Sequence, residues 1–189
     1  ELDKMSRLVN HLENRYGHML PVALAFMDIG KVAKFKALDK YSHLDFSNHP
    51  EAGAYIMQHE GVCEQLGLDD RISRIAQAIV RHHGFIGQSK RGEVADEVFE
   101  PILQLALEEG DDNIIDAYFL ANVIDTSMVR EGLMDAAMFD WFSQKTDALK
   151  KIVAEARSRS LSVAAVLAER AALIDADTEL QREEALKRI

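Results

Sequence analysis

The stretch Val22-Ala-Leu-Ala-Phe-Met-Asp-Ile-Gly-Lys31 decides the predicted fold, because it is an apolar helical run with one carboxylate, Asp28, near its end. We expect this run to be buried, and a buried carboxylate is costly unless a cation or strong hydrogen-bond donors meet it. Two later segments, Asn48-His-Pro-Glu51 and Arg81-His-His-Gly84, carry histidines that can fill this role. The sequence therefore predicts that separate helices meet around Asp28.

Asp28, His49, His82 and His83 together have the composition of a metal site, because one carboxylate and three imidazoles suit Zn, Fe, Mn or Ni. We therefore expect one divalent transition metal as a cofactor. Neighbouring residues on a regular helix point about 100° apart, so His82 and His83 reach one ion only if the helix unwinds at Gly84. In the alternative interpretation, Asp28 caps a helix end or stays in water and the histidines are scattered over the surface.

The composition predicts an all-α protein. Of the 189 residues, 48% are hydrophobic and 29% are charged, which is typical of a globular chain. Only three prolines interrupt the chain, and good helix formers such as Ala, Leu, Glu and Lys are abundant. We expect one helical domain over residues 1–158 and a C-terminal helix over residues 159–189. The C-terminal helix is a candidate contact in a homo-oligomer.

Charge and composition also limit the partners. A formal net charge of −10 repels phosphodiester backbones, so we expect no nucleic-acid partner, although a local basic loop can still hold a nucleotide or another small phosphate ligand. Cys63 is the only cysteine, which excludes a disulfide framework and a thiolate metal site. No apolar run reaches membrane-spanning length and no signal peptide opens the sequence. We therefore expect no membrane contact and a cytoplasmic location.

Apolar residues at helical spacing predict a series of helices. The predicted helices cover residues 2–16, the run after Pro21, the segment after Pro50, and residues 69–83, 94–108, 112–130, 136–157 and 160 onward. A short helical turn is expected at 31–38. The segment 84–92 has three glycines and no periodicity, so it is expected to be a loop. In that loop Lys90 and Arg91 either bind phosphate or lie in solvent.

Four motifs resemble, in order and spacing, those of the HD superfamily of metal-dependent phosphohydrolases, and most closely the branch with paired histidines that includes the HD-GYP phosphodiesterases. The motifs are Met27-Asp-Ile-Gly-Lys31, His49-Pro-Glu-Ala-Gly53, His82-His83 and Ala121-Asn-Val-Ile-Asp125. The resemblance covers roughly residues 1–130. It implies an all-α helical bundle with a metal site inside and the C-terminal helix as an extension.

The resemblance also implies roles for individual residues. Asp28 takes the place of the aspartate that bridges one or two metals and supports catalysis, and His49, His82 and His83 match the histidines that hold the second metal. Lys31 matches a lysine that helps to neutralise substrate phosphate, although a solvated lysine is an equally good interpretation. The four second-metal positions are therefore all present in this sequence.

The positions that would hold the first metal depart from the family pattern. Met27 stands where the family has the histidine of the His-Asp doublet, and Asn122 stands where it has a late aspartate. Met27 is better interpreted as a core side chain, and Asn122 as either a buried amide or a weak ligand. Asp116 and Asp125 are alternatives for the late acid, although helix phase places Asp125 off the apolar stripe. The early histidine has no clear match.

Three functions are consistent with these patterns. The first is a catalytically impaired HD-like domain that acts as a regulatory or ligand-sensing module of a larger, signalling protein. The second is an active phosphohydrolase that uses a single metal on a nucleotide or phosphodiester, with Asp28 and Lys31 as catalytic residues and Lys90 and Arg91 as further phosphate contacts. The third is a metal-free helical interaction domain. We favour the first, because two expected metal ligands are replaced.

Overall fold

The computed structural model describes residues 2–32, 36–129 and 135–186, and over these ranges it is all-α, without strands. The α-helices are α1 (Leu2–Tyr16), α2 (Met19–Met27), α3 (His49–His59), α4 (Val62–Gln65), α5 (Asp70–His82), α6 (Phe85–Lys90), α7 (Glu100–Glu108), α8 (Asn113–Val129), α9 (Ala136–Arg159) and α10 (Val163–Leu186). Short 3-10 helices lie at Ile29–Lys31, Asp39–Tyr41 and Asp96–Phe99. The predicted fold class is confirmed.

Helix α2 lies at the centre of the N-terminal half. Its sequence is apolar along its whole length, and the structure packs it against α1, α3, α5 and α8. Met19, Ala23 and Met27 are almost fully buried in it. Because burial of a large apolar side chain stabilises a protein by about 1.5–3 kcal/mol, this helix anchors the segment that ends at Asp28.

Helix α5 forms the second wall of the site. The Asp69 side chain caps it by accepting a hydrogen bond of 2.8 Å from the Ile72 amide. Its apolar stripe, which includes Ile75 and Ile79, packs toward α2 and α3. The helix ends at His82, so His83 lies just outside it.

Helix α8 contributes a long buried segment to the core. All residues from 117 to 123 are buried, so the helix has no single polar face. It contacts α2, α5, α7 and α9. The first turns of α10 add Val163, Val166 and Leu167 to the same core. Further along α10, Leu173 is exposed to solvent.

A buried carboxylate, Asp111, joins α1 and α5 to the turn before α8. Arg15 Nε and Tyr16 Oη donate hydrogen bonds of 2.8 and 2.9 Å to it, and Arg71 Nη2 donates one of 2.7 Å. Burial alone would raise the pKa of Asp111, but these bonds and one from Asn113 hold the pKa well below its usual range. This cluster therefore links segments that are far apart in sequence.

Two local predictions need correction, and a third lies partly outside the residues that the structure describes. Residues 85–90 are helical rather than a loop, and residues 96–99 form a 3-10 helix ahead of α7. Part of the turn expected at 31–38 lies outside the described residues. Within the described part of the chain, no helix is both long and apolar enough to cross a membrane.

Candidate metal centre

Asp28 follows α2 directly and precedes the 3-10 turn that contains Lys31. Gly30 lies in this turn against the backbone of His49, and a Cβ at Gly30 would come only 3.0 Å from the His49 Cα and still closer to its carbonyl oxygen. Only glycine allows this approach without a shift of backbone. The turn therefore brings Asp28 next to the first residue of α3.

His83 is presented by a sharp turn after α5. Its backbone is extended, and the next residue, Gly84, has a left-handed φ of 93°. The Gly84 amide donates a hydrogen bond of 3.1 Å to the Asn122 side-chain oxygen, and His83 Nδ1 lies 2.6 Å from the Val80 carbonyl. The expected unwinding at Gly84 is therefore present, and it separates the directions of the two adjacent histidines.

Asp28, His49 and His83 place one potential ligand atom each within 4.8 Å of one another. The His49 and His83 Nε2 atoms are 3.1 Å apart, and they lie 3.4 and 3.8 Å from Asp28 Oδ1. Two donors that each bind an ion at about 2.1 Å are themselves about 3.0–3.4 Å apart at bond angles of 90–109°. The 3.1 and 3.4 Å distances that involve His49 Nε2 lie in this range, whereas the 3.8 Å between His83 Nε2 and Asp28 Oδ1 is about 0.4 Å too long. A shared ion would therefore need His83 and Asp28 to move slightly closer together.

The hydrogen bond of His83 determines which of its nitrogens is free. A carbonyl oxygen only accepts, so His83 Nδ1 carries the proton toward Val80, and Nε2 keeps a lone pair directed at His49 and Asp28. Burial lowers the pKa of His83 and also that of His49, where Lys31 and His83 lower it further and Asp28 opposes the shift. Neutral imidazole is the form that binds metals.

Asp28 is not the buried carboxylate that the sequence predicted. Its side chain is 51% exposed, and the Lys31 ammonium lies 2.6 Å from Asp28 Oδ1. It lies beyond the end of α2, where the chain leaves the core. The expected convergence of carboxylate and imidazole is thus present at the edge of the core rather than inside it.

Asp125 lies outside the group of three ligand atoms but interacts electrostatically with it. It is half-buried on α8, and burial raises its pKa, with Asp28 adding to the rise while His83 and Lys31 oppose it. These influences place its carboxylate in the field of the Asp28–His83 group. Because residues 117–123 of α8 are all buried, the apolar stripe that precedes Asp125 has no clear edge, and helix phase is a poor guide to the direction of Asp125. Its position in the Ala121-Asn-Val-Ile-Asp125 motif was the signal that could have identified it.

His82 lies outside the group of three ligand atoms. Its ring centroid lies 6.1 Å from that of Phe85, and its electrostatic neighbours are Arg81 and Glu51. The prediction that His82 shares an ion with His83 is therefore not supported by the geometry, because the turn at Gly84 directs only His83 to Asp28. His82 does line an open cavity of about 350 Å³ together with His49 and His83.

The two positions that depart from the family pattern have structural roles. Met27 is 1% exposed and packs in the hydrophobic core. The Asn122 amide group donates a hydrogen bond of 2.8 Å to the Tyr118 carbonyl, and its oxygen accepts from the Gly84 amide. Both ends of the Asn122 side chain are therefore hydrogen-bonded to backbone, which accounts for a buried amide at this position without a metal.

Lys90 and Arg91 do not line the cavity beside the histidines, which Gln88 lines instead. Lys90 Nζ lies 2.8 Å from Met138 Sδ, and the Arg91 guanidinium pairs with Glu93 at 2.5–2.7 Å. The predicted phosphate-binding role of these two residues therefore has no support from their positions. The helix at 85–90 is the physical reason, because it turns them away from the site.

Comparison of the chain with protein-family models, with curated proteins and with solved structures found no match.

Proposed function

We propose that this chain is an HD-like domain with a metal site reduced to a single ion, and that it acts as a regulatory or ligand-sensing module. The observation that carries the proposal is the convergence of His49 Nε2, His83 Nε2 and Asp28 Oδ1 on one point. The sequence motifs that resemble the HD superfamily support the same interpretation.

The site offers ligands for one ion rather than two. Met27 is buried among apolar side chains and Asn122 is held by two hydrogen bonds, so neither completes a second set of ligands. Asp125 lies outside this group of ligand atoms, but its carboxylate is close enough to influence the pKa of His83 and would add negative charge beside a bound ion. A mixed histidine and carboxylate set suits a divalent transition metal such as Zn, Fe, Mn or Ni.

A bound ion would join three parts of the fold. Asp28 ends α2, His49 begins α3 and His83 follows α5, so one ion would cross-link these three segments. When bound, the metal would supply positive charge for an anionic ligand. The cavity of about 350 Å³ beside the histidines is lined by donors that suit a phosphate ligand, such as Asn48, Arg81 and Gln88, and by Glu51, which lies 3.0 Å from Arg81 Nε.

The deciding experiment is elemental analysis of protein purified without chelator, followed by hydrolysis assays with nucleotide monophosphates, cyclic dinucleotides and a generic phosphodiester. We expect about one transition metal per chain, loss of that metal in Asp28→Ala, and no metal-stimulated turnover. His18→Ala is the matched control, because His18 is exposed and lies outside the cluster. Absence of metal would leave the metal-free interaction domain as the function.

A single-metal phosphohydrolase is the second candidate, and the position of Lys31 favours it. The Lys31 ammonium is half-exposed and lies 2.6 Å from Asp28 Oδ1, so it can contact a phosphate at the same point. The assays above separate the two functions. Turnover that requires metal and disappears in both Asp28→Ala and Lys31→Ala would establish hydrolysis and overturn the sensing role.

A further inference from the structure

A second cavity, separate from the candidate metal centre, lies between α1, α8 and α9. Its volume is about 110 Å³, and none of the residues that line it belongs to the metal cluster. Engineered apolar cavities of about 150 Å³ bind benzene or xenon. This cavity is smaller, but the exposed residues Ser143 and Asp147 lie at its edge, so a single ring or a short branched chain can extend toward solvent.

Aromatic and aliphatic side chains form most of the wall. Phe119 and Phe142 meet edge to face with ring centroids 6.0 Å apart, and Leu120 and Val123 line the wall beside them. Phe119, Leu120 and Val123 are buried in the core cluster. Such a surface favours the apolar body of a ligand over water.

The two charged residues that line the cavity are both carboxylates, Asp116 and Asp147. The Asp116 side chain is 14% exposed, and Lys150 Nζ lies 2.6 Å from it. Asp147 is exposed and has no ion pair among the described residues. Lys150 thus balances the charge of Asp116, and the charge of Asp147 leaves the edge of the cavity negative.

We propose that this cavity binds a small apolar amine, with its hydrocarbon part against Phe119 and Phe142 and its ammonium group near Asp147 and Asp116. The apolar wall selects for the hydrocarbon, and the unbalanced carboxylate selects for a cation over a neutral or anionic group. The inference goes beyond the proposed function and does not depend on a metal.

The test uses benzylamine, toluene and benzoate as probes at pH 7. Trp141 is the only tryptophan and its ring lies 5.5 Å from that of Phe142, so its fluorescence reports on the cavity. Methyl resonances of Leu120 and Val123 give a second readout. We expect benzylamine to bind at least threefold more tightly than toluene, and benzoate not to bind measurably.

Two variants locate the site. Ser143→Phe places a large side chain at an exposed position that lines the cavity, and it should abolish binding. Asp147→Asn removes the unpaired charge and should weaken benzylamine about threefold without affecting toluene. Asp140→Asn is the matched control, since it makes the same change two turns earlier on α9 at an exposed residue that does not line the cavity.

Four outcomes would overturn the proposal. They are no perturbation by any probe, equal affinity for benzylamine and benzoate, an unchanged benzylamine affinity in Asp147→Asn, and an equal loss in Asp140→Asn. Melting temperatures confirm that each variant is folded. If Ser143→Phe does not fold, the two aspartate variants still decide the question, because both positions are exposed.

Discussion

At the scale of single residues, the adjacent histidines His82 and His83 lie in different surroundings, and only His83 belongs to the candidate metal site. They are neighbours in sequence and were predicted to bind the same ion. In the structure His83 Nε2 lies 3.1 Å from His49 Nε2, whereas His82 points toward Phe85. The left-handed φ of Gly84 produces the turn after them.

This separation gives a paired prediction for metal binding. His83→Ala should lower the metal affinity at least about 100-fold, because even outer-shell partners of a metal contribute about 10–100-fold. His82→Ala should change it by less than about threefold and serves as the matched control. Titration of the chelator-treated protein, with competition by a chromophoric chelator, measures both. Equal losses in the two variants would restore His82 as a ligand.

Asn122 gives a second prediction at this scale. If it were merely a weakened ligand, Asn122→Asp would restore a second metal. We expect no second metal in this variant and a less stable protein, because a carboxylate cannot donate the hydrogen bond that the amide gives to the Tyr118 carbonyl.

We therefore predict that Asn122→Asp leaves the metal content at one ion or fewer and lowers the free energy of unfolding by about 1–3 kcal/mol. Elemental analysis and urea unfolding provide the two measurements. The neighbouring substitution Asp125→Asn is informative beside it, since it should reduce metal affinity while the hydrogen bonds of Asn122 stay intact. A second equivalent of metal in Asn122→Asp would contradict this account.

At the scale of elements, the site depends on how closely the turn after α2 approaches α3. Gly30 lies against the His49 backbone, so there is no room for a side chain at position 30. Nearby, the Cβ position of Gly53 lies 3.0 Å from the Phe26 carbonyl oxygen. Two glycines therefore hold α2 and α3 together where the ligands meet.

Gly30→Ala should push the turn away from His49. We expect a loss of about 1–3 kcal/mol in the free energy of unfolding, as for other overpacked sites, together with a clear loss of metal affinity. Gly67→Ala is an instructive control for stability, because Gly67 has open space around it but a left-handed φ of 71°. It should reduce stability and leave metal binding unchanged. Unaltered metal binding in Gly30→Ala would refute the role of this contact.

The sequence predicted most helices because their apolar spacing is regular, but it misjudged residues 84–92. Three glycines suggested a loop, yet only Gly84 and Gly92 have a positive φ, and Gly87 lies within α6. The position of Asp125 near the site was hard to predict for a different reason. Helix phase is informative only where one face is buried, and residues 117–123 of α8 are buried on all sides.

At the scale of the whole molecule, the Asp111 cluster holds the N-terminal helices against the core. Its partners Arg15, Tyr16 and Arg71 come from distant parts of the chain, so no local pattern in the sequence could identify it. The carboxylate is almost fully buried, whereas its arginine partners are partly exposed. The cluster is therefore a stability element rather than a site.

The Asp111 cluster predicts a pH dependence of stability. The pKa of Asp111 is lower in the folded protein than in the unfolded chain, so its contribution is complete above about pH 4 and is lost as the pH falls further. Asp111→Asn should lower the free energy of unfolding by about 2 kcal/mol near neutral pH. The difference in free energy of unfolding between the variant and the natural protein should become smaller in acid. Denaturant unfolding between pH 7 and pH 3 measures it.

Asp112→Asn is the control for this prediction, because Asp112 is adjacent and forms a more exposed ion pair with Arg157 at 2.8 Å. Asp112→Asn should lower the free energy of unfolding by less than about 1 kcal/mol. A pH-independent difference for Asp111→Asn would show that the cluster acts through packing alone.

The ion pair between Lys31 and Asp28 has a consequence for the order in which ligands arrive. With neutral imidazoles, the formal charges of Asp28, Asp125 and Lys31 sum to −1, while Arg81 and Glu51 in the neighbouring cavity cancel each other, so the pocket by itself binds anions weakly. Uptake of a dication would change this sum to +1 and make the same pocket attractive to them. A phosphate compound would then enter only after the ion, and the domain would report the coincidence of two chemical signals rather than either one alone.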